Sequence, residues 1–173
     1  NFGQKKVEEL ILNRLDNKGF FYSRVSSEVD SSAKKAAIRY SAELPRPYTM
    51  QTFQLEKDSL PIYSAIEDAL TDSQIQNGQR FDLSLMKFER ERIDNELKKK
   101  GYYNFNPDFL IFEADTNRYD NRKFDLFLRL KSQVPERSII PYEIDSITVY
   151  PNYTLGDSVE VTSPKMVNGL TFV

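Results

Sequence analysis

The chain has no cysteine, no histidine and no tryptophan among its 173 residues. Without cysteine there is neither a disulfide nor a thiolate metal site. Without histidine the commonest general base and the commonest transition-metal ligand are gone. The six glycines are scattered singly, so no glycine-rich phosphate loop exists. No stretch approaches the roughly 20 apolar residues of a membrane helix, and no signal peptide is visible. An excess of positive charge is missing too. Lys and Arg number 24 against 26 Asp and Glu, a net charge of −2 with the signs interspersed. That argues against a nucleic-acid partner, which demands a basic face. The chain opens Asn1-Phe2-Gly3 without an initiator Met and reads as an internal piece of something longer.

The remaining polar groups offer no catalytic constellation. Glu67 and Asp68 are adjacent, so on a helix they diverge and form no carboxylate dyad. Glu89-Arg90-Glu91-Arg92 reads as an ion-paired helix face. Asp115, Asn117 and Asp120 lack the Gly and terminal Glu of a calcium loop. No enzyme activity, cofactor or metal is expected.

What is present is order. Charged residues make up 29% and aromatics 13%, the latter 10 Tyr and 12 Phe, which suits a folded chain. Val7, Leu10, Ile11 and Leu15 share one face of a helix from Lys5 to about Lys18, with Gly19 placed for a left-handed cap. An extended stretch over Phe21–Val29 puts Phe21, Val25 and Val29 on one side. Ile38, Tyr40, Ala42 and Leu44 then alternate with polar residues, the period of a strand with one wet face. Pro45-Arg46-Pro47 ends it. Tyr48–Leu55 reads as a strand. Ser59 is positioned to cap a helix over Pro61–Ile75, with Ile62, Ile66, Ala69 and Leu70 on one stripe. Asn77-Gly78 marks a turn. Asp82 caps a second helix ending at Gly101, with Met86, Ile93 and Leu97 inward. A strand is expected over Tyr102–Glu113, interrupted by Pro107. A wet turn over Asp115–Arg122 leads to alternating Phe124, Leu126, Leu128 and Leu130. A linker from Ser132 to Ile140, looser than Pro45–Pro47, precedes a last strand over Tyr142–Tyr150.

These elements repeat. Gly19 and Gly101 are 82 residues apart, and at that offset Ile11 meets Ile93, Leu15 meets Leu97, and Phe20-Phe21 meets Tyr102-Tyr103. Ile38 through Leu44 meets Phe124 through Leu130 at an offset of 86. Pro47-Tyr48 meets Pro141-Tyr142 at 94. The offset grows only across turns and linkers, where insertions are tolerated. The unit is strand, helix, helix, strand, strand. One whole copy spans 46–133. Residues 1–45 hold the second helix and hairpin of a partial copy, and 141–173 begin a further one, elaborated by an insertion over Asn152–Met166.

The run Asn77-Gly78-Gln79-Arg80-Phe81-Asp82, then Arg90 through Leu97 and Gly101-Tyr102-Tyr103, resembles the POTRA (polypeptide-transport-associated) pattern. Leu15 through Phe21 is similar to its last part. The flavour is that of the BamA/TamA-type family of outer-membrane β-barrel assembly and translocation factors.

That resemblance implies an α+β fold of tandem βααββ modules, each a three-stranded mixed sheet with two helices on one face. It implies a periplasmic array at the outer membrane, joined to it through a C-terminal barrel lying outside this sequence. The implied partners are unfolded outer-membrane protein clients and accessory lipoproteins. The alternative is a docking module of a translocation, secretion or cell-division protein. The second strand of each module is expected at a sheet edge, where an extended guest can pair with it. The candidate edges put Phe21, Ser23, Val25 and Ser27 in one module and Tyr103, Phe105, Phe109 and Ile111 in the other. Tyr102 and Tyr103 are expected to pack on helices. At least two of Phe109, Leu110, Ile111 and Phe112 are expected in the core.

Overall fold

The computed structural model describes residues 2–32, 35–119, 121–149, 165–167 and 170–172. Helix α1 covers Phe2–Asp16. It is followed by β1 (Arg24–Ser32) and β2 (Lys35–Glu43), paired antiparallel. Then come β3 (Thr49–Leu55), α2 (Ile62–Leu70), α3 (Leu83–Lys99), β4 (Leu110–Asp115) and β5 (Lys123–Leu130). These last five elements form a complete βααββ module. Its sheet has the order β3-β5-β4, with β3 parallel and β4 antiparallel to the central β5. Three short strands, β6 (Thr148–Val149), β7 (Lys165–Val167) and β8 (Leu170–Phe172), repeat this arrangement: β6 parallel and β7 antiparallel to a central β8. The chain is α+β, a tandem of POTRA-like units. Among the described residues no helix is long and apolar enough to cross a membrane.

The central module closes around the residues the periodicity marks. Ile62 and Ile66 of α2, Ile93 and Leu97 of α3, Leu110 of β4 and Leu128 of β5 are fully buried in one cluster. Met50, Met86, Phe124 and Leu126 form a second. Each such side chain contributes about 1.5–3 kcal/mol by leaving water. Asp82 caps α3 as expected, accepting from Ser84 N.

The two helices that end in glycine end alike. Gly19 N donates to Asp16 O at 2.9 Å and Phe20 N to Leu15 O at 3.0 Å. Gly101 N donates to Lys98 O at 3.1 Å and Tyr102 N to Leu97 O at 3.0 Å. Both are Schellman caps, with Gly19 at φ 83° and Gly101 at φ 91°. The residues equated by the repeat also make the same onward bond. Tyr48 N donates to Gly19 O at 2.9 Å, and Tyr142 N to Gly101 O at 2.8 Å.

Several expectations are corrected. The strand expected from Tyr102 starts only at Leu110. Asn106 accepts from Asp108 N and caps a short 3-10 turn, Pro107–Phe109, before it. Phe105 is thereby drawn into the core, and Tyr103 is left exposed rather than packed on a helix. The first hairpin begins at Arg24, not Phe21, because Ser23 Oγ donates to Phe20 O and Tyr22 turns at φ 65°. Pro61, not Ser59, occupies the N-cap of α2, which stops at Leu70. The segment from Tyr142 is not strand until Thr148, its first amide being spent on Gly101. The linker 132–140 is not loose: Val134 and Ile139 pack on the core and Ser138 is buried. Glu89 is ion-paired with Arg92 at 2.7 Å, as the Glu-Arg run suggests, but its carboxylate is buried in the module rather than on its surface. Tyr119 and Arg118 in the expected wet turn fold back onto buried Asp125. Of the expected insertion, 152–164 lie outside the described residues.

Candidate docking site at the strand edge

Among the described residues strand β4 is paired only with β5, so its other side is an open edge. The ladder fixes which groups face outward. Lys131 N donates to Phe109 O at 2.9 Å. With the register Ile111↔Arg129, Glu113↔Phe127 and Asp115↔Asp125, those are the hydrogen-bonded pairs. The amides and carbonyls of the alternate residues, Phe112 and Ala114, therefore point away from the sheet. Leu110 O also points out, and Arg90 Nη1 of α3 donates to it at 3.2 Å.

Helix α3 runs alongside. Leu83, Met86, Lys87 and Arg90 recur at helical spacing and line one wall of a groove of about 350 Å³. Leu110, Phe112 and Ala114 line the other, with Phe81 and Lys131 at its ends. The Phe112 ring lies 6.0 Å from that of Phe53 on β3.

The Ala114 end of the groove meets the seam between the first unit and the central module. At this seam the end of α1 faces the start of α3. Asn17 O accepts from Leu83 N at 2.9 Å, satisfying an amide of α3 that has no partner within its own helix. Lys18 Nζ donates to both Asp82 oxygens, at 2.9 and 2.7 Å. Burial raises the Asp82 carboxyl, but Lys18 and the Ser84 and Leu85 amides outweigh it and hold the group below the usual carboxylate range. Phe21 packs edge-to-face on Tyr48 at 5.4 Å and on Phe81 at 5.2 Å. Arg80 sits 5.2 Å above the Phe20 ring.

The chain resembles BamA POTRA domains of known structure. It aligns with Haemophilus influenzae BamA POTRA3-5 at 20% identity and a TM-score of 0.40, over 73% of this chain and 46% of that one. It aligns with Haemophilus ducreyi BamA lacking POTRA domains 1-3 at 15% identity and a TM-score of 0.48, over 76% of this chain and 23% of that one. The chain thus spans less than half of either. No family model matches the sequence, and no curated protein matches it.

The structure distributes the expected edge residues unevenly. Ile111 lies in β4, but its backbone faces β5. Tyr103, Phe105 and Phe109 precede the strand. Val25 and Ser27 lie in β1, and Ser27 Oγ donates to Glu8 Oε1 of α1 at 2.6 Å. Ser23 lies just before β1, and Phe21 belongs to the seam. Of the residues that build the groove, the sequence marks Phe81 and Arg90 only through the POTRA-like run and Phe112 only as core, and does not single out Lys87 or Ala114. Two signals could have found them: the Leu110, Phe112, Ala114 alternation, and the Leu83, Lys87, Arg90 spacing on α3.

Proposed function

We propose that the chain is a non-catalytic docking array, divided into units at 1–45, 46–133 and 141–173, that binds extended polypeptide by adding it as a strand to β4. The outward amides and carbonyls of Phe112 and Ala114, beside an open apolar groove, carry this reading. Backbone pairing gives affinity whatever the guest's sequence, and alternate side chains would enter the groove. Each net hydrogen bond contributes on the order of 0.5–1.5 kcal/mol, so the few available here support only weak binding, roughly high micromolar to millimolar. Weak binding suits a relay that releases its client, and modules in series recover avidity. The POTRA resemblance supports unfolded outer-membrane proteins as clients, accessory lipoproteins as partners, and a place on the periplasmic face of the outer membrane.

The decisive variant is Ala114→Pro. Its amide points outward, so proline removes an edge donor and leaves the β4–β5 ladder intact. Titration of the chain with an unfolded barrel-strand peptide should shift the Phe112 and Ala114 amides, and Ala114→Pro should abolish binding without lowering stability. Unchanged binding in the folded variant would overturn strand addition at β4.

A further inference from the structure

The groove does not end at Ala114. Phe81 and Ala114 also line a second pocket, of about 420 Å³, which belongs to two units at once. Phe21, Tyr22 and Asp16 come from the first unit; Tyr48, Phe81, Ala114, Thr116 and Phe124 come from the central module. Neither unit alone has this pocket. Its walls are largely aromatic. Tyr22 at the rim is 80% exposed and sits at φ 65°, a region that side-chain-bearing residues other than Asn and Asp rarely occupy.

The charges along the continuous groove are asymmetric. Lys87, Arg90 and Lys131 line the far part and no acidic residue does. Arg90 has Asp108 3.6 Å away, while Lys87 and Lys131 hold no ion pair among the described residues. The pocket at the seam carries one charge, the carboxylate of Asp16. A guest carboxylate is therefore favoured beside Leu110 and disfavoured beside Ala114.

We infer that the seam pocket is a side-chain subsite, and that the preferred guest is an extended segment with an aromatic side chain at one end and an acidic one at the other. The inference rests on strand addition at β4. Thr116 lies six positions beyond Leu110, about 20 Å along an extended chain, so the two guest anchors lie some six positions apart. The aromatic side chain seats against Phe21, Tyr22 and Phe81, and the carboxylate meets Lys87 and Lys131. Because both units wall the subsite, recognition depends on the seam staying closed.

The test uses the full chain and fluorescently labelled heptapeptides, read by anisotropy. One peptide carries Phe and Glu at its ends, in both orders. A second replaces Phe by Ala, and a third replaces Glu by Lys. The better-binding order of the first should exceed the second by about threefold to tenfold. It should exceed the third by up to about fivefold, a margin that shrinks in high salt. Tyr22→Asn relaxes the backbone at φ 65° while removing the ring, so it should fold normally. It should erase the preference for Phe and leave the Ala peptide's affinity unchanged. Lys87→Glu should erase the preference for Glu over Lys. If all three peptides bind equally and Ala114→Pro abolishes that binding, the subsite is refuted and strand addition stands. A Phe preference that survives Tyr22→Asn also refutes the subsite. If Ala114→Pro changes nothing, strand addition fails and the subsite with it.

Discussion

Glycine at 101 meets two separate demands. Its φ of 91° is open to glycine and strained for other residues, and a Cβ there would lie 2.5 Å from Tyr142 O. Gly78 shares the first demand, at φ 85°, but nothing lies within 4 Å of its Cβ position. The pair separates strain from clash. Gly78→Ala should lower stability by about 1 kcal/mol, the strain of a left-handed alanine. Gly101→Ala should cost at least twice as much in urea unfolding, and should expose the Tyr142 amide to hydrogen exchange. Equal losses would mean that the Tyr142 backbone yields freely. Both glycines were legible in the sequence, Gly101 as the cap of an amphipathic helix and Gly78 as the second residue of an Asn-Gly turn. Phe21 was not. An aromatic just past a helix cap fits a strand or a packed seam equally, and only the positions of Tyr48 and Phe81 decide between them.

At the scale of elements, α2 and α3 are tied by a buried charge. Glu89 is fully buried and accepts from Arg92 Nε at 3.1 Å and Nη2 at 2.7 Å. Arg92 Nη2 also donates to Ala69 O at 2.6 Å, near the end of α2. Breaking such a pair strands a carboxylate in the core, so Arg92→Met should lower stability by about 3 kcal/mol. Adding Glu89→Leu should recover most of that loss in urea unfolding, since two apolar side chains leave no orphaned charge. No recovery would assign the effect to the bond with Ala69 instead. A sequence of alternating Glu and Arg looks the same on a wet face as on a buried one, which is why the burial was not foreseen. Strand β5 was legible from its strict alternation, and β4 only in part. Phe109-Leu110-Ile111-Phe112 has no period, and the cap that Asn106 supplies to the turn at Pro107 delays the strand.

The whole molecule depends on how firmly its units are joined, and the seam at α1 and α3 carries a titratable group. Asp82 has its carboxyl held below the ordinary range in the folded chain. A depressed folded value means its stabilisation is complete above the unfolded value, near pH 4, and is lost as pH falls through the folded one. The Lys18–Asp82 pair is partly exposed, so its contribution is well under 1 kcal/mol after solvent screening. The cap to Ser84 N weakens with it. Acid should therefore loosen the seam before the core. Between pH 7 and pH 3, protection of the Leu83 and Tyr48 amides, which bond across the seam, should fall more than that of Leu126 and Leu128. Asp125 is also held low, first by the Thr52 hydroxyl, so acid will free the Tyr119 turn as well. Lys18→Met separates the two effects. At pH 7 it should lower seam protection while leaving the turn unchanged. Equal protection of Leu83 in wild type and variant would show that the seam is held by its backbone bonds and aromatic packing alone.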